Sequence, residues 1–259
     1  MAAPTYSSRG IVLKKTKLGE CDLIITFLNA DGSQLQAVAK GARKPTSTFA
    51  SRLELYGEVD LLCSKGRSLD IVKEVRLVSG NDGMRFDIAK STAASPMAEL
   101  LIKISQPGLE NTVLFELSSV AFRALSDCRV GAEASMCAAF LLKALSYCGL
   151  RPSFAKCVCC GAKVVHQPDG MVRFSYAEGG CVCPLCCSEV DSSLTHVRQI
   201  EASTSLLYAR FSEIEGLPIT IDDALSVIRL CREIICIHVG GKLRSLEFLL
   251  TQSFLFEGI

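Results

Sequence analysis

The chain has 259 residues, with 28 lysines and arginines against 27 aspartates and glutamates and a formal net charge of +1. Its 49% hydrophobic and 21% charged residues give a globular balance that excludes long disordered tracts and leaves room for one large domain or two or three small ones. A surface basic throughout is excluded as well, but charge is unevenly spread: residues 1–80 hold 12 Lys+Arg against 8 Asp+Glu, a net of +4, and residues 191–259 hold 6 against 9, a net of −3.

Met1 to Lys17 carries Arg9, Lys14, Lys15 and Lys17 but no apolar run of the length a signal sequence uses. No later segment reaches the roughly 18 apolar residues of a membrane span. The expectation is a cytoplasmic protein with no membrane partner, whose 14 cysteines are mostly reduced.

From Gly10 to Val78 the pattern is that of five short strands: Ile11–Leu13, Leu23–Leu28, Leu35–Ala39, Leu53–Cys63 and Leu69–Val78. Asp31-Gly32 is a hairpin signal, and Lys65-Gly66 predicts another turn through a glycine with positive φ. Five strands in about seventy residues fit a small barrel of the OB type, and pattern alone leaves an SH3-like barrel or an open meander in play. Between the third and fourth strands, Lys40-Gly41-Ala42-Arg43-Lys44-Pro45-Thr46-Ser47-Thr48 is an exposed loop by composition. Lys40, Arg43 and Lys44 suit phosphate contact, with Ser47 and Thr48 as further donors; a solvated loop that keeps the barrel soluble is the plain alternative. Tyr6, Phe27, Phe49 and Tyr56 are the available stacking rings, with Phe27 better placed in a core.

After Val78 the period changes to helical. Ser95-Pro96 predicts a helix start, with the stop at Pro107-Gly108. A second helix over 112–127 places Leu114, Leu117, Val120, Ala121 and Ala124 on one stripe. A third, over 132–148, buries Met136, Phe140, Leu141, Ala144 and Leu145 and ends at Gly149. Further helices are expected over 203–213, from an Asp222-Asp223 cap to about Ile237, and over 242–254. Cys137, Cys148, Cys231 and Cys236 fall in apolar helical patterns and are expected as small buried hydrophobes.

The most specific chemistry lies between these helices. Cys157-Val158-Cys159-Cys160-Gly161 is followed by Cys181-Val182-Cys183-Pro184-Leu185-Cys186-Cys187. The two C-x-x-C pairs, Cys157/Cys160 and Cys183/Cys186, are separated by 22 residues, the spacing of a four-cysteine structural zinc ribbon with no open position for substrate. Disulfides or a redox pair are the competing reading, since Cys159, Cys181 and Cys187 share the segment. His166 is a possible substitute ligand. The organisation expected is α+β and multidomain: an OB-type barrel over 1–80, a helical domain over 81–156 and 191–259, and a zinc ribbon over 157–190 inserted in it.

Catalytic signatures are absent from the sequence. His166 is followed by Gln167 and Pro168, which breaks the deaminase pattern, and no H-E-x-x-H or G-x-S-x-G segment occurs. Gly240-Gly241-Lys242 lacks both the first glycine and the Ser or Thr of a phosphate loop. A zinc-dependent nuclease or deaminase therefore ranks below a binding protein, and a pure protein adaptor is the other alternative.

Taken in order, several stretches resemble the RecO family of bacterial DNA repair and recombination mediators. They are Gly10-Ile11-Val12-Leu13, Gly19-Glu20-Cys21-Asp22, Ala39-Lys40-Gly41-Ala42-Arg43-Lys44-Pro45, Leu145 to Pro152 leading into the first cysteine pair, Gly179-Gly180, and Lys242-Leu243-Arg244-Ser245. The resemblance implies an OB fold, a helical domain and an embedded zinc module. It also implies non-catalytic binding of single- and double-stranded DNA, strand annealing, and work beside the nucleoid with RecR, single-strand-binding protein and, indirectly, RecA. On that reading Lys14, Lys15, Lys40, Arg43 and Lys44 form the DNA-binding surface. Thr46-Ser47-Thr48 departs from the further basic residue that the family commonly carries there.

Overall fold

The computed structural model describes residues 3–164 and 169–256. They form two compact units, one comprising the chain up to Asp87 together with Ala98–Asp127, the other comprising Ile88–Met97 and Cys128 onward.

The first unit is built on a closed five-stranded barrel of β1 (Thr5–Leu18), β2 (Asp22–Asn29), β3 (Gln34–Ala39), β4 (Glu58–Ser64) and β5 (Asp70–Ser79), in the order β1-β2-β3-β5-β4. This is the OB-type barrel expected. Its long first strand pairs with β4 through Thr5–Ile11 and with β2 through Gly10–Leu18, and an irregularity between Val12 and Lys14 marks the change. The barrel closes through a short parallel seam, Ala37 to Asp70 and Val38 to Ile71. Val12, Ile25, Phe27, Ala37, Ala39, Val59, Leu61, Cys63, Val72 and Val75 are buried in one core. Burial of each larger side chain contributes about 1.5–3 kcal/mol.

Two turns differ from expectation. The fourth strand starts at Glu58 rather than Leu53, because Tyr56 is left-handed (φ 67°) and turns its ring inward onto Phe122, with ring centroids 5.3 Å apart. Gly66 does not have a positive φ. Glycine is required there because a Cβ would lie 1.8 Å from the Leu69 carbonyl oxygen. Gly32 does take the expected conformation (φ 83°), and its N–H donates to the Asn29 carbonyl at 2.8 Å.

Helix α1 (Ile88–Ile104) runs through Pro96 rather than starting at it. Ser95 does not cap; its hydroxyl donates to the Ser91 carbonyl at 2.9 Å, and the alanine-rich turn before it carries the helix past the one backbone donor that proline removes. Helix α2 (Thr112–Asp127) has the predicted bounds but a rotated stripe: Phe122 and Leu125 join Leu114 and Ala121 inside, and Val120 is exposed. The stacking of Phe122 on Tyr56 sets that phase.

In the second unit α3 (Glu133–Tyr147) packs against α4 (Val197–Tyr208) and α5 (Ile221–Ile235). All five residues predicted for its core are buried. Cys137 and Cys231 are buried as expected, Cys236 is half-buried, and Cys148 is exposed because it follows the last helical turn. The helix expected over 203–213 is displaced: α4 starts at Val197 because a strand runs directly into it, and Phe211–Gly216 forms a separate 3₁₀ turn. Helix α6 spans Arg244–Thr251.

Thr220, rather than the aspartate pair, caps α5, and Asp223 completes the capping box by accepting from the Thr220 N–H at 2.9 Å. Arg198 of α4 grips the same carboxylate with two bonds, at 2.5 and 2.8 Å. These arginine bonds hold the Asp223 carboxyl far below the usual carboxylate range, helped by Thr220 and opposed by burial. A depressed folded pKa means that the stabilisation is complete above the unfolded value of about 3.9 and is lost as pH falls toward the folded value. Asp223→Ala is expected to lower unfolding free energy by about 1–2 kcal/mol at neutral pH, with the gap from wild type closing in acid. Urea unfolding across that pH range checks this, and a gap independent of pH contradicts it.

Candidate metal centre and nucleic-acid interface

Between α3 and α4 the chain forms a small three-stranded sheet of β6 (Met171–Ser175), β7 (Gly180–Val182) and β8 (Ser193–His196), in the order β7-β6-β8. Phe174 is fully buried, with Phe154 and Tyr176 packed at ring distances of 6.2 and 5.2 Å. The first cysteine pair sits on a tight knuckle. Lys156 bridges to Lys163, the Cys157 N–H donates to the Ala162 carbonyl at 2.8 Å, and Gly161 (φ 73°) donates to the Cys157 carbonyl at 2.9 Å. The second pair turns more tightly, with the Cys186 N–H on the Cys183 carbonyl at 3.1 Å. The knuckles are held together by Val158 N–H donating to the Cys181 carbonyl at 3.0 Å. Gly180 permits this approach: a Cβ there would lie 2.4 Å from the Val158 side chain and 2.7 Å from the Ser153 carbonyl oxygen.

The result is that the sulfurs of Cys157, Cys160, Cys183 and Cys186 all lie within 4.8 Å of one another, three of the residues buried and Cys160 exposed. Cys160 and Cys183 are 3.7 Å apart through their sulfurs. A tetrahedral zinc–thiolate site with bonds of about 2.3 Å requires sulfur separations of about 3.8 Å, so the donor set fits a closed four-thiolate metal centre. The Cys183 N–H, 3.4 Å from the Cys157 sulfur, leads the backbone donors that lower the Cys157 thiol to about 6, against the opposing effect of burial. Cys181 is buried, which pushes its thiol up to about 12, and Cys159 and Cys187 stay outside the cluster. His166 lies outside the described residues.

In the barrel, the connection after β3 is tied to the β1–β2 turn. Asp22 accepts from the Gly41 N–H at 2.7 Å, and the Arg43 N–H donates to the Cys21 carbonyl at 2.9 Å. Lys40, Arg43 and Lys44 are all exposed on this connection. The Arg43 guanidinium also donates to the Gly19 and Glu20 carbonyls, at 3.2 and 2.8 Å, so it braces the loop as well as charging it. Lys14 and Lys15 are neighbours in sequence on opposite faces of β1. Lys14 is exposed, whereas Lys15 is half-buried and bonded to Glu54 at 2.9 Å. Of the aromatic candidates, Phe27 and Tyr56 are buried and Tyr6 donates to Asp70, which leaves Phe49 half-buried beside the core. A further set of cations, Arg9, Arg52, Lys73 and Arg76, lines a groove on the β1–β4–β5 side. These four residues are scattered in the sequence, coming from β1, β5 and the loop between β3 and β4; the one local cue is the Lys73-Glu74 pair, which breaks the alternation of β5.

No helix among the described residues is long and apolar enough to cross a membrane. Two family models match, described as the recombination protein O N-terminal domain over residues 1–81 and its C-terminal domain over residues 85–247. The chain is 32% identical over 253 residues to the DNA repair protein RecO of Symbiobacterium thermophilum, covering 94% of this chain and 96% of that one. It is 33% identical over 232 residues to the DNA repair protein RecO of Bifidobacterium longum subsp. infantis, covering 89% and 90%. With both domain models in order and relatives aligned along almost the whole length, the chain belongs to the RecO family of DNA repair proteins.

Proposed function

We propose that this chain is a non-catalytic recombination mediator that binds single- and double-stranded DNA through its barrel, anneals complementary strands and helps to load a recombinase onto gapped DNA. The observation that carries this reading is the exposed cation set Lys40, Arg43 and Lys44 on a loop braced against the β1–β2 turn of an OB-type barrel. Annealing needs no covalent step. A basic surface reduces the repulsion between two phosphate backbones while base edges remain free to pair. Lys14 adds to that surface; Lys15 does so only by exchanging Glu54 for phosphate.

The four segments divide the work. Residues 1–80 contact DNA, 157–190 hold the metal, and 81–156 with 191–259 make the helical frame that meets RecR and single-strand-binding protein, and through them RecA. The setting is the cytoplasm at the nucleoid. The metal is zinc in a structural role: four thiolates fill its coordination sphere, and no position is left to activate water. Zinc bound there supplies folding energy, on the order of 10 kcal/mol at neutral pH.

Two outcomes are expected. Lys40→Ala with Lys44→Ala weakens binding to oligothymidylate and reduces the log–log salt slope by about 0.7 for each phosphate contact removed. These variants leave the Arg43 brace in place. Fluorescence anisotropy over a salt series checks this, and an unchanged affinity and slope would remove the loop from the interface. Metal analysis should give one zinc per chain, lost in Cys160→Ser or on chelation together with a large drop in melting temperature. A Cys160→Ser chain that keeps its zinc and its stability contradicts the ligand assignment. Metal-dependent cleavage of DNA by the wild type would instead favour an enzyme.

A further inference from the structure

Annealing brings two strands to one protein, and the loop of Lys40, Arg43 and Lys44 accounts for only one of them. We propose that the open groove on the outer β1–β4–β5 face of the barrel is a second polynucleotide site, which holds the backbone of a single strand. The inference rests on the annealing reading above and deepens it.

The groove encloses about 1020 Å³ and is lined by Arg9, Arg52, Lys73 and Arg76 against Asp60 and Glu74, four cations to two carboxylates. Its floor follows from strand register. Arg9 of β1, Asp60 of β4 and Arg76 of β5 are directly paired across the sheet, so the three side chains form a row on its outer face. Asp60 accepts from Arg9 at 2.8 Å and from Arg76 at 2.5 Å, and Arg9 also faces Glu58 at 3.7 Å. The aspartate thereby fixes two guanidiniums side by side, each retaining further N–H donors for phosphate.

Lys73 is placed by a bulge. Cys63 pairs with Val72 and Leu62 with Glu74, which leaves Lys73 as the unpaired extra residue of β5. Val72 and Val75 both point into the core, and the bulge turns Lys73 and Glu74 outward together. Arg52 closes one wall: one guanidinium nitrogen donates to the Val75 carbonyl at 3.0 Å, and the residue is otherwise exposed. Phe49, half-buried on the same wall, offers a ring among the cations. Cations interleaved with an aromatic ring suit the alternating phosphates and bases of a single strand.

The test uses the full chain and a fluorescent oligothymidylate of about 8 nucleotides, within the roughly 4–16 that one OB fold covers. Wild type is expected to bind two such strands per chain, and Lys73→Glu to bind one with an unchanged circular dichroism spectrum. In the same variant, annealing of two complementary labelled strands is expected to slow by about tenfold. Arg76→Ala, which also releases Asp60, should lower the second stoichiometric step in the same direction. A wild-type stoichiometry of one, or a Lys73→Glu chain that still binds two strands and anneals at the wild-type rate, overturns the proposal. So does binding of a glutamate-rich peptide in the groove where oligothymidylate does not bind. If Lys40→Ala with Lys44→Ala leaves two strands bound while Lys73→Glu removes one, the loop assignment fails and the groove stands.

Discussion

The convergence of four cysteine sulfurs is the constraint on which the segment between α3 and α4 depends. Its three strands have five, three and four residues, and their apolar core is small: Phe174 with its two aromatic neighbours, Val172, Cys181 and Val182. A sheet of that size does not bury enough apolar surface to order itself. The knuckle hydrogen bonds and the Gly180 contact add to that core, and a metal held by the four sulfurs would supply the rest. With a metal bound, the quartet would act as a clasp for the fold, and the proposed function leaves DNA to the barrel.

The barrel solves a different problem. A cation-rich loop pays for itself only if it stays in place when it meets phosphate, because ordering a free loop costs about 1–2 kcal/mol per residue. Here the connection after β3 is pinned by Asp22, by the Cys21 carbonyl and by the Arg43 guanidinium. Farther along, the same connection presents Phe49 and Arg52 to the outer groove. One loop thus serves two surfaces, and both consist of side chains on backbone that the barrel already fixes.

Much of this was legible in the sequence where a single physical rule dominates. Thiolate spacing identified the quartet, apolar periodicity placed α3 and its buried face, and Asp31-Gly32 marked the first hairpin. Legibility failed where a long-range contact overrides the local preference. Tyr56 adopts a left-handed conformation because Phe122 receives its ring, and the same contact rotates the buried stripe of α2. Pro96 lies inside a helix that both flanks support. Lys73 reaches the outer face through a bulge visible only once β4 and β5 are aligned, and Arg9, Asp60 and Arg76 become a row only when three strands are side by side. The cation loop was readable as exposed and basic, but its bracing by Arg43 was not, since the acceptors are carbonyls more than twenty residues away.

The central claim is that DNA is held by the barrel and that the metal module only holds the fold. Amide hydrogen exchange of the zinc-loaded chain, with and without oligothymidylate, tests it most directly. The account predicts slowed exchange in residues 40–52 and along β5, with the cysteine knuckles and α3 to α5 unchanged. Protection confined to the knuckles or the helices, with the barrel indifferent to DNA, would contradict it.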